Sequence, residues 1–312
     1  SDSIVLKQFG PVLNILKKMK KPPLNNLLVT DNLNYERYQA FVTSTKSKNI
    51  QPVVRMKTLH NGRYATRNST HTFRRHFHRA KRIILIRHGE SEGNVDESAY
   101  VNTADWQIRL TKKGKEQAHR AGKELRKIIK EDESIFFYVS PYKRTLQTLK
   151  EIQQMFPKEQ VWGVREEPRI AEQQFGNFQN VEEVRKAKIE RKKFGRFFFR
   201  FPNGESGLDV YSRTTSFLST LFRDSAQMRN SGVDLHNMNI VIVTHGLAIR
   251  LFLMRWFQYS VDDFEDSYNP ANGSLNIMER HENEHGEQWF EIEAETKSSL
   301  NLNQVHQSMN KM

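Results

Sequence analysis

The stretch Lys81–Asn94, KRIILIRHGESEGN, sets the expected fold of this chain. No polar residue interrupts its apolar run Ile83–Ile86, which is typical of a strand buried on both faces of a sheet. Arg87 and His88 follow directly, so two polar groups lie at the carboxyl end of this strand. Such groups cost free energy where water is scarce, and their position therefore predicts a functional site.

Apolar runs alternate with amphipathic segments through residues 81–295, which we interpret as one domain. Further strands are predicted at Ile135–Ser140, Val161–Val164, Ile240–Thr244 and Ser274–Met278. Helices are predicted at Lys112–Lys130, Pro141–Met155, Val181–Lys193, Val210–Met228 and Leu247–Phe257. Continuous apolar strands separated by helices indicate an α/β fold, with a mainly parallel sheet that helices cover on both faces.

The composition excludes several classes of chemistry. The 312 residues contain no cysteine, which excludes disulfides, a thiol nucleophile and cysteine-ligated zinc. No run approaches the roughly 18 consecutive apolar residues that a membrane-spanning helix needs. We therefore expect a soluble, cytoplasmic protein without redox chemistry.

The excess positive charge lies in the leading segment. Residues 1–82 hold 17 Lys and Arg against 3 Asp and Glu, whereas the whole chain has a net charge of +13. We interpret residues 1–80 as a basic N-terminal extension that could bind an anionic membrane or an acidic partner. Its acid-poor composition also fits an organellar presequence. We expect no nucleic-acid partner, because the basic stretch Phe73–Arg82 is more typical of a solvated linker. Residues 296–312 are predicted to form a polar C-terminal tail.

Four segments bring polar side chains to the expected carboxyl edge of the sheet, where such folds bind ligands. They supply Arg87, His88 and Asn94 from KRIILIRHGESEGN, Arg144 from VSPYKRTLQT, Glu172 from RIAEQQFGNF and His245 from IVIVTHGLAIR. In the second segment Ser140 is predicted to cap a helix that has Pro141 at its first position.

This set of side chains suits a phosphoryl group. Guanidinium groups supply forked donors to phosphate oxygens, and a neutral imidazole can attack phosphorus. A second imidazole can donate to the group in transfer, and a carboxylic acid can protonate the departing oxygen. We expect no metal and no cofactor, since the guanidinium groups already neutralise the developing charge.

Six motifs occur in an order that resembles the histidine phosphatase superfamily, the phosphoglycerate mutase-like proteins. They are RHGESEGN, LTKKGKEQA, SPYKRTLQT, AEQQFGNF, FPNGES and THG, and the resemblance covers about residues 82–280. EPRIAEQQFGNF and FGRFFFRFPNGES are most similar to a plant and fungal branch of phosphoglycerate mutase-like phosphatases. The resemblance implies a mixed, mainly parallel α/β sandwich. It also implies that His88 is the phospho-accepting nucleophile and Glu172 the proton donor. By the same resemblance the phosphate pocket is formed by Arg87, Asn94, Arg144 and His245.

The predicted function is a metal-independent, acid phosphatase-like hydrolase that acts on small phosphomonoesters through a phosphohistidine. Two alternatives stay open: a mutase that returns the phosphoryl group to a bound sugar acid, and an inactive phosphatase fold tethered by residues 1–80. The mutase uses the same residues, so the sequence does not separate it from the hydrolase.

A run of five phenylalanines between Phe194 and Phe201 is interleaved with Arg196 and Arg200. Aromatic residues at this density are more typical of a packed cap over the pocket than of a surface that stacks bases. We expect Arg196 or Arg200 to reach an anionic substrate from that cap.

Overall fold

The computed structural model describes residues 79–176 and 180–302, together with two short strands, β1 at Lys57–Leu59 and β2 at Arg63–Ala65. β1 and β2 pair with each other as a two-stranded sheet. The membrane or partner role predicted for residues 1–80 falls almost entirely on residues outside these ranges. The same holds for residues 303–312 of the predicted tail.

A six-stranded sheet forms the centre of the domain. Its strands are β3 (Arg82–Arg87), β4 (Ser134–Val139), β5 (Val161–Glu166), β6 (Met238–Thr244), β7 (Leu275–Glu282) and β8 (Gln288–Ile292). They lie in the order β5-β4-β6-β3-β7-β8. The first four are parallel, while β7 runs antiparallel to β3, and β8 antiparallel to β7. The predicted mainly parallel sheet is confirmed; β8 was not predicted.

Helices cover both faces of this sheet. They are α1 (Glu92–Val95), α2 (Ala99–Asn102), α3 (Lys112–Ile128), α4 (Lys143–Gln153), α5 (Val181–Phe194), α6 (Gly207–Asn230), α7 (Gly246–Phe257), α8 (Val261–Asp266) and α9 (Ala294–Ser299). The side chains of β3 alternate between two cores: Ile83 and Leu85 pack with α6 and α7, while Ile84 and Ile86 pack with α3 and α4. The apolar run of β3 is therefore continuous because both of its faces are buried. None of the helices in the described part is long and apolar enough to cross a membrane.

The folded region extends past the C-terminal boundary predicted at residue 295. Helix α9 continues the domain, and the Leu300 and Leu302 side chains beyond it are buried in the core on the α6 and α7 side. The backbone N–H of Tyr268 donates to the Leu300 carbonyl at 2.9 Å, which ties this segment to the rest of the domain. The folded part reaches at least residue 302, because two leucines within a polar sequence supply the apolar contacts.

Candidate active site

The two predicted histidines meet where neighbouring parallel strands end. His88 directly follows β3 and His245 directly follows β6. The ladder continues past both strands, because the His88 N–H donates to the Thr244 carbonyl and the Ser140 N–H to the Val243 carbonyl, both at 3.0 Å. The two imidazole rings consequently lie edge to face with their centroids 5.1 Å apart. Parallel pairing of β3, β6 and β4 thus brings His88, His245 and Ser140 to one edge.

Local bonding determines which nitrogen of His88 is free. Its Nδ1 lies 2.7 Å from the Gly89 carbonyl oxygen. A carbonyl can only accept, so Nδ1 carries the proton and Nε2 keeps its lone pair. Burial lowers the His88 pKa well below its usual value, and the positive charges of Arg144 and Arg87 lower it further. His88 is therefore a neutral imidazole with a free Nε2.

One ring nitrogen of His245 has no hydrogen-bond partner among the described residues. Its Nε2 lies 2.8 Å from the Ser140 hydroxyl, while its buried Nδ1 has no hydrogen-bond partner among the described residues. Burial, followed by the charge of Arg144, lowers the His245 pKa well below the usual value. When the Ser140 hydroxyl donates to Nε2, the ring proton resides on Nδ1. A buried N–H of this kind is available to a ligand.

The predicted capping role of Ser140 is wrong. Helix α4 begins at Lys143 with Tyr142 as its N-cap residue, so neither Ser140 nor Pro141 occupies the predicted position. The Ser140 hydroxyl instead bonds to the His245 ring. A serine just before an expected helix start suggested a cap. In the structure its hydroxyl bonds instead to His245, which lies at the end of the neighbouring strand β6.

Arg144 lies in the first turn of α4 with its side chain 2% exposed. Its Nη1 donates to both the backbone oxygen and the Oδ1 of Asp105, each at 2.7 Å. The guanidinium also lies over the Tyr142 ring, 4.8 Å from the centroid. These contacts hold one end of the guanidinium in place and leave its other N–H groups for an anion.

Like His245, Arg87 has one buried nitrogen without a partner among the described residues. Its Nη1 donates to the Pro270 carbonyl at 2.6 Å, whereas its buried Nε has no partner within the described ranges. Arg87 and Arg144 also interact electrostatically with each other and with Glu172. Three of the predicted site residues therefore share one electrostatic environment.

Asn94 lies beside the site but mainly holds its loop. Its exposed side chain accepts hydrogen bonds at Oδ1 from the N–H of Ser91 at 3.0 Å and from the Ser91 hydroxyl at 3.1 Å. Those bonds form the start of α1. Because they occupy the amide oxygen, the amide nitrogen is the end left for a ligand.

Glu172 meets His245 from a loop that follows β5. Its Oε2 lies 3.9 Å from His245 Nδ1, and its Oε1 accepts from the Gln173 N–H at 2.9 Å. The side chain is 16% exposed. Burial raises the pKa of this carboxyl above its usual value, although the Gln173 N–H and the nearby Arg144 partly oppose that rise. Glu172 consequently keeps its proton to higher pH than an ordinary glutamate.

Arg213 of α6, which the sequence analysis missed, holds the loop that carries Glu172. Its Nη1 donates to the carbonyls of Arg169 at 2.7 Å and Ala171 at 2.8 Å, and its Nη2 donates to the Glu172 carbonyl at 2.9 Å. Glu205 holds the same guanidinium with contacts of 2.9 and 3.0 Å. Glu205 lies in the quoted motif FPNGES, but no spacing signal singles out Arg213.

Tyr100 and Tyr142, also missed, form an aromatic wall of the site. Burial raises the pKa of Tyr100 to about 12, and its phenol interacts electrostatically with Arg144 and Glu172. The Tyr100 ring packs on Gly93, where an added Cβ would lie 2.7 Å from the Tyr100 Cζ. The Tyr142 ring lies edge to face with His245 at 5.1 Å. Tyr142 lies within the quoted motif SPYKRTLQT but was not singled out, and Tyr100 belongs to no segment with a catalytic pattern.

The predicted residues therefore come together, and their arrangement is suited to a tetrahedral anion. The site combines cationic and neutral donors with one imidazole lone pair and one carboxyl that tends to hold its proton. Two of its buried nitrogens, Arg87 Nε and His245 Nδ1, lack partners in the part of the chain that the structure describes; the first is a donor, and the second is one when the Ser140 hydroxyl donates to Nε2. Unsatisfied buried donors are costly, so the site is built for a ligand that accepts hydrogen bonds.

Comparisons with known proteins find similar sequences and folds. The family model of the histidine phosphatase superfamily (branch 1) matches residues 83–292. The phosphoglycerate mutase-like protein AT74 of Arabidopsis thaliana is 52% identical over 204 residues, covering 64% of this chain and 65% of that protein. The chain thus spans just under two thirds of that relative's length.

Two further matches are a yeast enzyme and a solved structure. The broad-range acid phosphatase DET1 of Saccharomyces cerevisiae is 31% identical over 292 residues, covering 64% of this chain and 86% of that enzyme. A structure of mycobacterial glucosyl-3-phosphoglycerate phosphatase is similar in fold, with a TM-score of 0.53 and 21% identity over 69% of this chain and 98% of that one. The strand-end histidines and the matching family model lead to one conclusion: this chain belongs to the histidine phosphatase superfamily, branch 1.

Proposed function

We propose that this protein hydrolyses phosphomonoesters through a phosphohistidine formed on His88 Nε2. The observation that carries the proposal is the 2.7 Å contact between His88 Nδ1 and the Gly89 carbonyl. It keeps the proton on Nδ1 and leaves the lone pair of Nε2 free, beside His245 and within the influence of two arginines. A neutral, oriented imidazole is the form that attacks phosphorus.

In the first step the lone pair of His88 Nε2 attacks phosphorus, and the bond between phosphorus and the ester oxygen breaks. Glu172 gives its proton to that oxygen, so the alcohol leaves neutral and Glu172 becomes a carboxylate. The raised pKa of Glu172 supports this role, because the carboxyl must start protonated. The 3.9 Å separation between Glu172 and His245 also supports this role, because His245 is proposed to contact the group in transfer.

In the second step water attacks phosphorus and the bond between phosphorus and nitrogen breaks. The Glu172 carboxylate takes a proton from that water, so Glu172 returns to its starting form. Inorganic phosphate leaves, and the electron pair of the broken bond returns to His88 Nε2. The low pKa of His88 favours departure of a neutral imidazole.

The pocket around phosphorus uses the donors that lack partners. Arg87 Nε and the free N–H groups of Arg144 would bind the phosphate oxygens, and His245 Nδ1–H would donate to the group in transfer. The Asn94 amide nitrogen would add a further donor at the rim. These guanidinium and imidazole groups would thereby balance the negative charge of the phosphoryl group during its transfer.

We propose small phosphorylated molecules as the substrates and water as the acceptor. The name of the yeast relative, a broad-range acid phosphatase, favours the hydrolase over the mutase that the sequence analysis also allowed. A mutase would use the same His88 and Glu172, so only the fate of the phosphoryl group separates the two.

The test combines trapping with product analysis. The full chain, with a chelator present, is mixed with a ³²P-labelled phosphomonoester and quenched in alkali within milliseconds, and the labelled peptide is identified by mass spectrometry. Label on His88 together with release of inorganic phosphate supports the hydrolase, while isomerised ester without release supports a mutase. Absence of label on His88 during turnover would refute the mechanism. His88→Ala should fold normally and lose activity, and replacement of the exposed His281 with alanine should leave both unchanged.

A further inference from the structure

The last turns of α5 and the connection that follows them expose large apolar side chains to solvent. Of the five phenylalanines predicted to form a packed cap, Phe197 and Phe201 are buried, but Phe194 and Phe198 are 71% and 63% exposed. Ile189 of α5 is 58% exposed. A single exposed apolar residue is ordinary, but three of them in one short segment of a folded domain need an explanation.

The helical periodicity of α5 places basic side chains around Ile189. Buried Val184 and Ala187 mark the face of α5 that packs on the domain. At about 100° per residue, Ile189 lies opposite that face. Of the acidic residues of α5, only Glu182 at the helix start points in the same direction as Ile189. Four basic side chains lie within about 60° of Ile189: Arg185, Lys186, Lys192 and Lys193.

Most of these basic groups are free to meet an anion. Arg185 lies 3.5 Å from Glu97, but the other three are exposed lysines that form no salt bridge with any described residue. From Lys186 to Arg200 the chain holds seven Lys and Arg and one acidic residue, Glu190. The surface around the exposed apolar side chains is therefore electropositive and attracts an anionic partner.

The turn after α5 holds Phe198 in solvent. Gly195 ends α5 with a φ of +82°, so the chain changes direction there. Phe197 is then buried against Tyr211 and Phe264, whose ring centroids lie 5.8 and 5.7 Å from its own. Because Phe197 anchors the turn, its neighbour Phe198 projects outward. The fold itself keeps this apolar surface in water.

The composition of the surface favours a lipid bilayer over a protein as its partner. Lysine is depleted at protein interfaces, whose buried centres exclude charge, whereas here lysines surround the apolar side chains. Segments that lie in a membrane interface combine Phe with a surface rich in Lys and Arg, because long basic side chains can reach the lipid headgroups. The ends of this chain are poorly suited to cover the surface. Residues 1–82 hold 17 Lys and Arg against 3 Asp and Glu, and residues 303–312 hold no acidic residue.

We infer that this part of the domain is a docking surface for an anionic lipid bilayer. The docking surface comprises three apolar and three basic side chains: Ile189, Phe194, Phe198, Lys186, Lys192 and Lys193. The phenylalanines enter the headgroup region, and the lysines contact the anionic groups of the lipids. The docking surface adjoins the candidate active site, since Lys188 Nζ of the same helix lies 5.9 Å from the centre of the Tyr100 ring. The inference does not depend on the proposed hydrolysis.

The first test uses the absence of cysteine from the chain. Full-length Phe194→Cys is labelled with an environment-sensitive fluorophore and mixed with phosphatidylcholine vesicles that contain roughly 30% phosphatidylserine. The matched control is labelled Phe222→Cys, which replaces a 50% exposed phenylalanine of α6. The emission of the first label should shift to shorter wavelength and be quenched by brominated lipids, while that of the control stays unchanged. Binding through residues 1–80 alone would not produce this difference.

Two outcomes of this test would overturn the inference. Equal responses of the two labels would show that the docking surface is not what contacts the lipid. No response of either label would leave an acidic protein as the partner that the charges favour.

Charge variants then test the electrostatic contribution, with affinity measured by vesicle titration of the labelled Phe194→Cys protein. Lys192→Gln with Lys193→Gln should weaken binding by about 25-fold, since each lysine near an anionic surface contributes about fivefold. Lys115→Gln with Lys123→Gln on α3 changes the net charge equally and should alter affinity by about twofold or less. Equal affinities of the two double variants, both folded by circular dichroism, would overturn the assignment to this surface.

Discussion

Replacement of Glu172 with glutamine should separate the loss of proton donation from the loss of structure. Glutamine has nearly the same shape as glutamate, and its amide oxygen can still accept from the Gln173 N–H, which now lies 2.9 Å from Glu172 Oε1. The Glu172 backbone carbonyl would also keep its bond from Arg213. The variant loses only the proton that, in the proposed mechanism, Glu172 donates to the departing alcohol.

The expected loss depends on the leaving group. An alkyl phosphate releases a strongly basic alkoxide unless it is protonated, so Glu172→Gln should lower its kcat/KM by the roughly 10²–10⁴-fold that general acid catalysis contributes, about 2.7–5.5 kcal/mol. A p-nitrophenyl phosphate releases a stable phenolate and should lose about tenfold or less. His88, the proposed nucleophile in both reactions, is unchanged. The ratio of the two losses measures proton donation alone.

The pH profile of the wild-type enzyme should follow from the same two groups. Burial raises the pKa of Glu172, so its acid form persists above the usual carboxyl range and is lost as pH rises through the raised pKa. Burial and two arginines lower the pKa of His88, so its neutral form is lost only as pH falls through a pKa well below 6.5. Activity should therefore be highest in the acidic to neutral range. In Glu172→Gln the alkaline fall that Glu172 causes should disappear.

The assay is release of inorganic phosphate from both esters by wild type, Glu172→Gln and a control, over the full pH range. The control is Glu166→Gln, an exposed glutamate at the end of β5. Its rates should match those of the wild type. Equal losses on the alkyl and p-nitrophenyl esters in Glu172→Gln would refute Glu172 as the donor to the leaving group, and so would an unchanged alkaline limb.

The remaining predictions concern the supports of the site and of the central sheet. Arg213→Gln removes the donors that hold three loop carbonyls, and kcat for alkyl esters should fall by about 10²-fold while KM changes little, as steady-state kinetics can measure. Glu133→Ala removes the nearly buried partner of Arg82, 2.9 Å away, and should lower the free energy of unfolding by about 3 kcal/mol in urea titrations. Gly114→Ala places a Cβ 1.9 Å from the Glu90 carbonyl, next to the His88 loop, and should reduce kcat at least tenfold even where circular dichroism shows a folded protein.

The sequence predicted the strands that are buried on both faces. β3, β4 and β6 are uninterrupted apolar runs because helices cover them on both sides, and their ends fix the positions of His88 and His245. β8 escaped prediction because it is a short edge strand in which only Phe290 and Ile292 are buried. In the sequence alone, five residues in a polar region resemble a loop, and only their pairing with β7 identifies them as a strand. Leu300 and Leu302 were missed for a similar reason, since two leucines do not establish a pattern.

The missed residues of the site share a different cause. Arg213 lies on a helix, where sequence periodicity does not distinguish a guanidinium that reaches a distant loop from one in solvent. Its role depends on how α6 packs against the loop after β5. His88 and His245 could be predicted because a strand end is a position that the sequence itself defines. A contact between two elements far apart in the chain has no such local signal.

One physical cause prepares both reacting groups. Burial favours uncharged forms, so it lowers the pKa of His88 and raises that of Glu172, which suits their proposed roles: Nε2 of the nucleophile carries no proton, and the acid carries one. Arg144 acts unequally on the pair, since its charge favours neutral His88 but opposes a neutral Glu172. A bound phosphate dianion offsets that charge and therefore helps Glu172 to keep its proton. Glu172 is therefore more fully protonated when the substrate is bound. The proton is then present at the step for which the proposed mechanism needs it.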